Sequence, residues 1–150
     1  MRNIVKMALA FLLVLPLSSC HKQEVAEPET LTVTANNLAG DWKLVSWQGG
    51  DMNDADVAVY IRFIRKDSRF ELYSNVGSMD FVCKTGDFLI LSDDTLGDVL
   101  VGSYDYTLGQ EWNHRYIVNL TKNRLILTAT DDASNVCIYD RCTIPEDVVE

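Results

Sequence analysis

The chain has little of what hydrolytic and redox active sites are built from. It carries two histidines, His21 and His114. No Gly-x-Ser-x-Gly elbow occurs, and no cysteine–histidine spacing repeats a known nucleophile motif. C-x-x-C is missing too, and with it the usual sequence sign of zinc or dithiol chemistry. Basic residues are scarce: 13 Lys and Arg stand against 22 Asp and Glu, for a net charge of −9. A nucleic-acid surface needs a basic face, so that class of partner is excluded. No apolar run reaches the roughly 20 residues of a membrane-spanning helix. No segment keeps a helical period over about eleven residues, and no repeat is visible. These absences point away from an enzyme, a metal site or any other cofactor.

What is present begins at the amino terminus. Arg2 and Lys6 precede a short apolar run from Met7 to Leu15, which Pro16, Ser18 and Ser19 break. That order reads as a secretory signal. It ends in Leu17-Ser18-Ser19-Cys20, which resembles the lipobox of bacterial lipoproteins. The resemblance implies cleavage before Cys20 and acylation of its thiol and new amino terminus by chains such as palmitate. Several acyl chains anchor a protein stably where one is marginal. Residue 21 is His rather than Asp, which by the lipoprotein sorting pattern implies the outer membrane. The expected organisation is therefore a signal peptide over 1–19, an acylated Cys20 with an acidic tether over 20–36, and one domain over 37–150. The leader takes two of the 13 basic residues and no acid, so 11 basic residues face 22 acidic ones, a charge near −11. Such acidity keeps a protein soluble in a crowded compartment and leaves membrane attachment to the lipid.

The domain reads as strand after strand. Asp41 to Trp47, Val57 to Ile64, Arg69 to Ser74 and Ser78 to Lys84 alternate or are rich in β-branched and aromatic residues. Phe88 to Leu91, Val99 to Leu108, Arg115 to Leu120, Arg124 to Thr130 and Val136 to Cys142 follow. Polar turns separate them, including Lys66-Asp67-Ser68, Thr85-Gly86-Asp87 and Lys122-Asn123. About nine short strands with short connections predict an all-β, antiparallel, up-and-down barrel. Of the four cysteines, Cys83, Cys137 and Cys142 remain after Cys20. One disulfide with a free thiol and three free thiols both fit that odd number.

Several pieces carry a family resemblance: Gly40 to Leu44 (GDWKL), Tyr60 to Phe63 (YIRF), Phe70 to Tyr73 (FELY), Gly102 to Trp112, Leu125 to Thr128 and Ile144 to Val148. In this order, behind a lipobox, they resemble the lipocalin-like lipoproteins of Bacteroidetes. The resemblance implies a calyx-shaped barrel in which Trp42 plugs the closed end and Arg141 stacks upon it. The internal Thr-Asp-Tyr element of lipocalins is represented only by Thr130-Asp131-Asp132.

Within the barrel the aromatic residues are the functional lead. Trp47, Tyr60, Tyr73, Tyr104, Tyr106 and Trp112 are the candidate ligand-binding set, apolar surfaces with hydroxyls to orient a small apolar or amphipathic molecule. Trp112 lies in a polar stretch, where it would cover the barrel mouth or meet a protein partner. A protein-interaction role, as an accessory subunit or a periplasmic inhibitor using Gly109 to Arg115 and Asp51 to Asp56, is the alternative. The oxygen-bearing residues Asp51, Asn53, Asp54 and Asp56 fail the calcium-loop pattern, because Ala55 holds the fifth place and Arg62 the twelfth. His114 reads as a loop histidine rather than a general base. Asp93-Asp94 and Asp131-Asp132 read as solvated turn residues. Either the periplasmic or the outer face of the membrane suits the domain.

Overall fold

A computed structural model of the chain describes residues 27–53, 56–107 and 110–150. The leader, Cys20 and most of the tether lie outside these residues, as do Asp54, Ala55, Leu108 and Gly109. The strands are β1 (Gly40–Trp47), β2 (Gly50–Asp51), β3 (Val59–Ile64), β4 (Arg69–Ser74), β5 (Val82–Asp93), β6 (Gly97–Tyr104), β7 (Tyr116–Leu120), β8 (Arg124–Ala129) and β9 (Val136–Cys142). Each pairs antiparallel with its neighbour, and β1 also pairs with β9. Eight strands thus close into an up-and-down, lipocalin-like barrel. Only β2 stays outside the ring, a two-residue ribbon against Ser46 and Trp47. Closure leaves no long free edge for another chain to extend.

Alternation places one face of each strand inside. The largest fully buried side chains include Trp42, Phe63, Phe70, Phe88, Leu100 and Leu120. They fill one end of the barrel, where Phe63 meets Phe88 edge-on with centroids 5.2 Å apart. The short helix α1 (Ala35–Leu38) caps this end, started by the Thr34 hydroxyl, which accepts from Asn37 N–H. The Trp42 indole Nε1–H donates to Leu38 O at 2.9 Å. The Arg141 guanidinium lies 4.0 Å above the Trp42 ring. It also donates to Ala39 O, Asn37 O and Lys122 O. One guanidinium therefore ties β9, α1 and the β7–β8 turn over a single indole. Gly40 is required beneath it: φ is +121°, and a Cβ there would stand 2.6 Å from Arg141 Nη1. The amino-terminal segment joins the same end, with Leu31 N–H donating to Leu120 O.

Two expectations are corrected by the strand pattern. Thr85-Gly86-Asp87 is not a turn; β5 runs through it for 12 residues. Its turn-prone residues work across strands instead. The Thr85 hydroxyl donates to Asp105, and Asp87 pairs with Arg69 at 2.9 Å. The real turn is at Asp93, whose Oδ1 accepts from the N–H of both Thr95 and Leu96. The strand expected from Ser78 begins only at Val82. Cys83, Cys137 and Cys142 are free thiols.

A second apolar cluster lies outside the barrel wall. Tyr60 and Tyr73, directly paired across β3 and β4, are covered by Ile144 and Val148 of the carboxy-terminal segment and its helix α2 (Glu146–Val149). Ile144 N–H donates to Asp41 Oδ2, and the other oxygen of Asp41 accepts from Arg62 Nε at 2.7 Å. Partial burial opposes ionisation of Asp41, but the hydrogen bonds from Arg62 and Ile144 outweigh it and hold the carboxyl below its ordinary range.

Candidate functional site

The end opposite Trp42 is open and holds a cavity of about 790 Å³. Leu44, Ile61, Leu72 and Leu127 form its apolar walls, from β1, β3, β4 and β8. Trp47, Met52, Val57 and Val76 line the rim where the β1–β3 and β4–β5 connections meet. Trp47 and Val76 are half or more exposed, at 49% and 60%. Across from them stand Tyr104, Tyr106, Trp112 and His114.

Four of the six candidate aromatics, Trp47, Tyr104, Tyr106 and Trp112, therefore border one cavity. Tyr60 and Tyr73 do not. In β3 and β4 it is Ile61 and Leu72 that point inward, so the adjacent tyrosines face α2 on the outside. The Tyr73 hydroxyl donates to Glu71 Oε2 at 2.8 Å rather than to anything in the barrel.

Trp112 is turned into the barrel instead of lying on a flat exposed patch. Its N–H donates to Gly102 O at 2.7 Å, folding the segment back along β6. The indole then lies on Gly102, where a Cβ would come within 2.1 Å of Trp112 Cε2. Phe70 and Tyr116 contact it edge-on at 5.1 and 6.1 Å. Its Nε1 is buried and has no hydrogen-bond partner among the described residues. Tyr104 and Tyr106 meet at a tilt with centroids 5.3 Å apart, and the Lys84 ammonium lies 5.9 Å from both rings.

Behind these aromatics is a polar inner wall that the sequence reading missed: Tyr116, Asn135, Cys137 and Tyr139. Burial pushes the Tyr116 phenol up to about 12 and raises Tyr139 further. Burial also raises the Cys137 thiol, so it stays protonated and is a poor nucleophile at neutral pH. Neither the Tyr116 nor the Tyr139 hydroxyl has a hydrogen-bond partner among the described residues. Asn135 is 7% exposed, and its Oδ1 has no partner among the described residues. Asn135, Cys137 and Tyr139 share one face by the period of two, and closure of β9 on β1 brings that face to the cavity, while Tyr116 of β7 already touches Trp112.

At the rim His114 Nδ1 lies 2.8 Å from Asp131 Oδ1, so one of the two turn acids is paired rather than merely solvated. The contact joins loops 17 residues apart and left no local signal. Asp132 is a turn cap, accepting from Ser134 N–H and Oγ–H. Asp51 likewise serves its own loop, accepting from both nitrogens of Asn53. Among the described residues no three His, Cys, Asp or Glu side chains converge as metal ligands would. A second depression, at the closed end between Pro28 and Arg124, is crossed by the exposed Arg124–Asp140 pair at 2.7 Å. No family model matches this chain, and neither a curated protein nor a solved structure matches it.

Proposed function

We propose that the chain is a lipid-anchored outer-membrane protein whose barrel binds a small apolar or amphipathic molecule without transforming it. The observation that carries this reading is the cavity of about 790 Å³ at the open end. Ligand sites fall at about 300–1,000 Å³ and combine apolar walls with a few convergent polar groups. Aliphatic walls, an aromatic rim and four polar groups on one inner wall match that description. The alternative, a protein-interaction module with a filled core, needs Trp112 on an exposed patch, whereas its ring lies against Gly102 within the barrel.

Titration with an environment-sensitive naphthalene dye tests the reading. Saturable binding of one dye per chain is expected, and Leu127→Trp, which fills the interior, should abolish it. Native mass spectrometry of protein from its source should retain a small molecule. Absence of both dye binding and a retained small molecule would sink the proposal, and a stoichiometric protein in the spectrum would favour the alternative.

A further inference from the structure

We infer that the cavity selects a ligand with an uncharged oxygen-bearing head, a hydroxyl or carbonyl, seated against Tyr116 and Tyr139; this rests on the ligand-binding reading above. The argument begins with where charge is absent. Lys84 and Glu111 line the cavity from exposed positions at the rim, and the His114 imidazole there is already engaged with Asp131. The buried lining is aliphatic, aromatic, thiol or amide. A carboxylate carried to this wall would leave water without a counter-ion, which disfavours it. An ammonium would fare no better, since no acid lines the buried part.

The inner wall is nonetheless not apolar. The Tyr116 and Tyr139 hydroxyls have no partner among the described residues. Asn135 Oδ1 beside them has none either. Phenols with raised pKa values are protonated at neutral pH and can donate as well as accept. A ligand hydroxyl matches them in either sense, and a carbonyl accepts from both. Leu44 and Leu127, paired with Tyr139 and Cys137 across the strands, and Ile61 and Leu72 of β3 and β4 suit the apolar body of the same molecule. The polar head then lies along the β7–β9 side, between Tyr116 near the rim and Tyr139 deeper in.

Isothermal titration of the full-length protein with 1-octanol, octanoate and octane at pH 7.5 separates the claims. The alcohol should bind at least about tenfold more tightly than the acid, the cost of desolvating an unpaired carboxylate. Tyr116→Phe with Tyr139→Phe should weaken 1-octanol about tenfold and leave octane unchanged. Octanoate binding as tightly as 1-octanol would overturn the head-group assignment while the cavity reading stands. So would unchanged 1-octanol affinity in a double variant that melts like the parent. Should that variant fail to fold, the alcohol–acid comparison on the parent still decides. Binding of none of the three would overturn the cavity reading and this inference together.

Discussion

Two glycines set how closely the barrel's walls approach, and they differ in what a methyl would strike. At Gly86 a Cβ would lie 2.0 Å from Ser103 O and 2.7 Å from the Phe70 ring. At Gly102 it would meet the Trp112 indole at 2.1 Å. A side chain can swing into the cavity; a paired backbone carbonyl cannot move without parting β5 from β6. Gly102→Ala should therefore cost about 1–3 kcal/mol, and Gly86→Ala more. Thermal melting ranks the two, and only Gly102→Ala should also shift tryptophan emission. A third local effect is electrostatic. Arg69 and Thr85 hydrogen-bond Asp105 and lower its pKa to about 2. A carboxyl depressed in the folded state adds stability above its unfolded pKa of about 3.9, lost as pH falls through the folded value. Arg69→Gln should thus be less stable than the parent at pH 6, with the gap closing between about pH 4 and 2. Chemical-shift titration should find the Asp105 pKa in Arg69→Gln moved up toward 3.9.

At the scale of elements, the carboxy-terminal segment behaves as a cover for the outer wall. Ile144 and Val148, 4% and 7% exposed, bury Tyr60 and Tyr73, and Ile144 N–H holds Asp41. Ending the chain at Thr143 should remove about 3–5 kcal/mol, an upper figure from burial of two aliphatic side chains. Denaturant unfolding measures the loss, and solvent quenching of tyrosine emission should report the uncovered ring pair. This cover also explains what could be read in advance. Strands announced themselves, because Arg69 to Ser74 alternates without any partner being known. Which face points inward was not local information. Tyr60 and Ile61 are both β-formers, and only a helix some 80 residues later decides that Tyr60 faces out. Thr85-Gly86-Asp87 misled for a related reason. Residues that favour turns also serve as hydrogen-bond partners across strands, and Gly86 is needed for the close approach of β6.

The barrel has two distinct ends, and the described amino-terminal segment joins it at one of them. Trp42, Arg141 and α1 seal the closed end, and the amino-terminal segment joins there through Leu31 and Leu120. The cavity opens at the other end, beside Trp47 and His114. The barrel was legible from strand count and short connections. The cavity was not, because its volume depends on how Gly102 admits Trp112 and on which residues β9 brings round to β1. Should Cys20 carry the proposed lipid, the residues between it and Leu31 would span roughly 35 Å when extended, counted at about 3.3 Å each. The anchor would then reach the barrel at its sealed end and leave the mouth unobstructed. Attachment and binding are separable in such an arrangement, since they use opposite ends and share no residue. Cys20→Ala should accordingly move the protein from the membrane fraction to the soluble fraction. Its affinity for the naphthalene dye should remain within about twofold of the parent, because no cavity-lining residue changes. Fractionation and dye titration on the same preparation read both outcomes. Persistent membrane association would defeat the anchor assignment, whereas lost dye binding would show that the tether reaches the mouth.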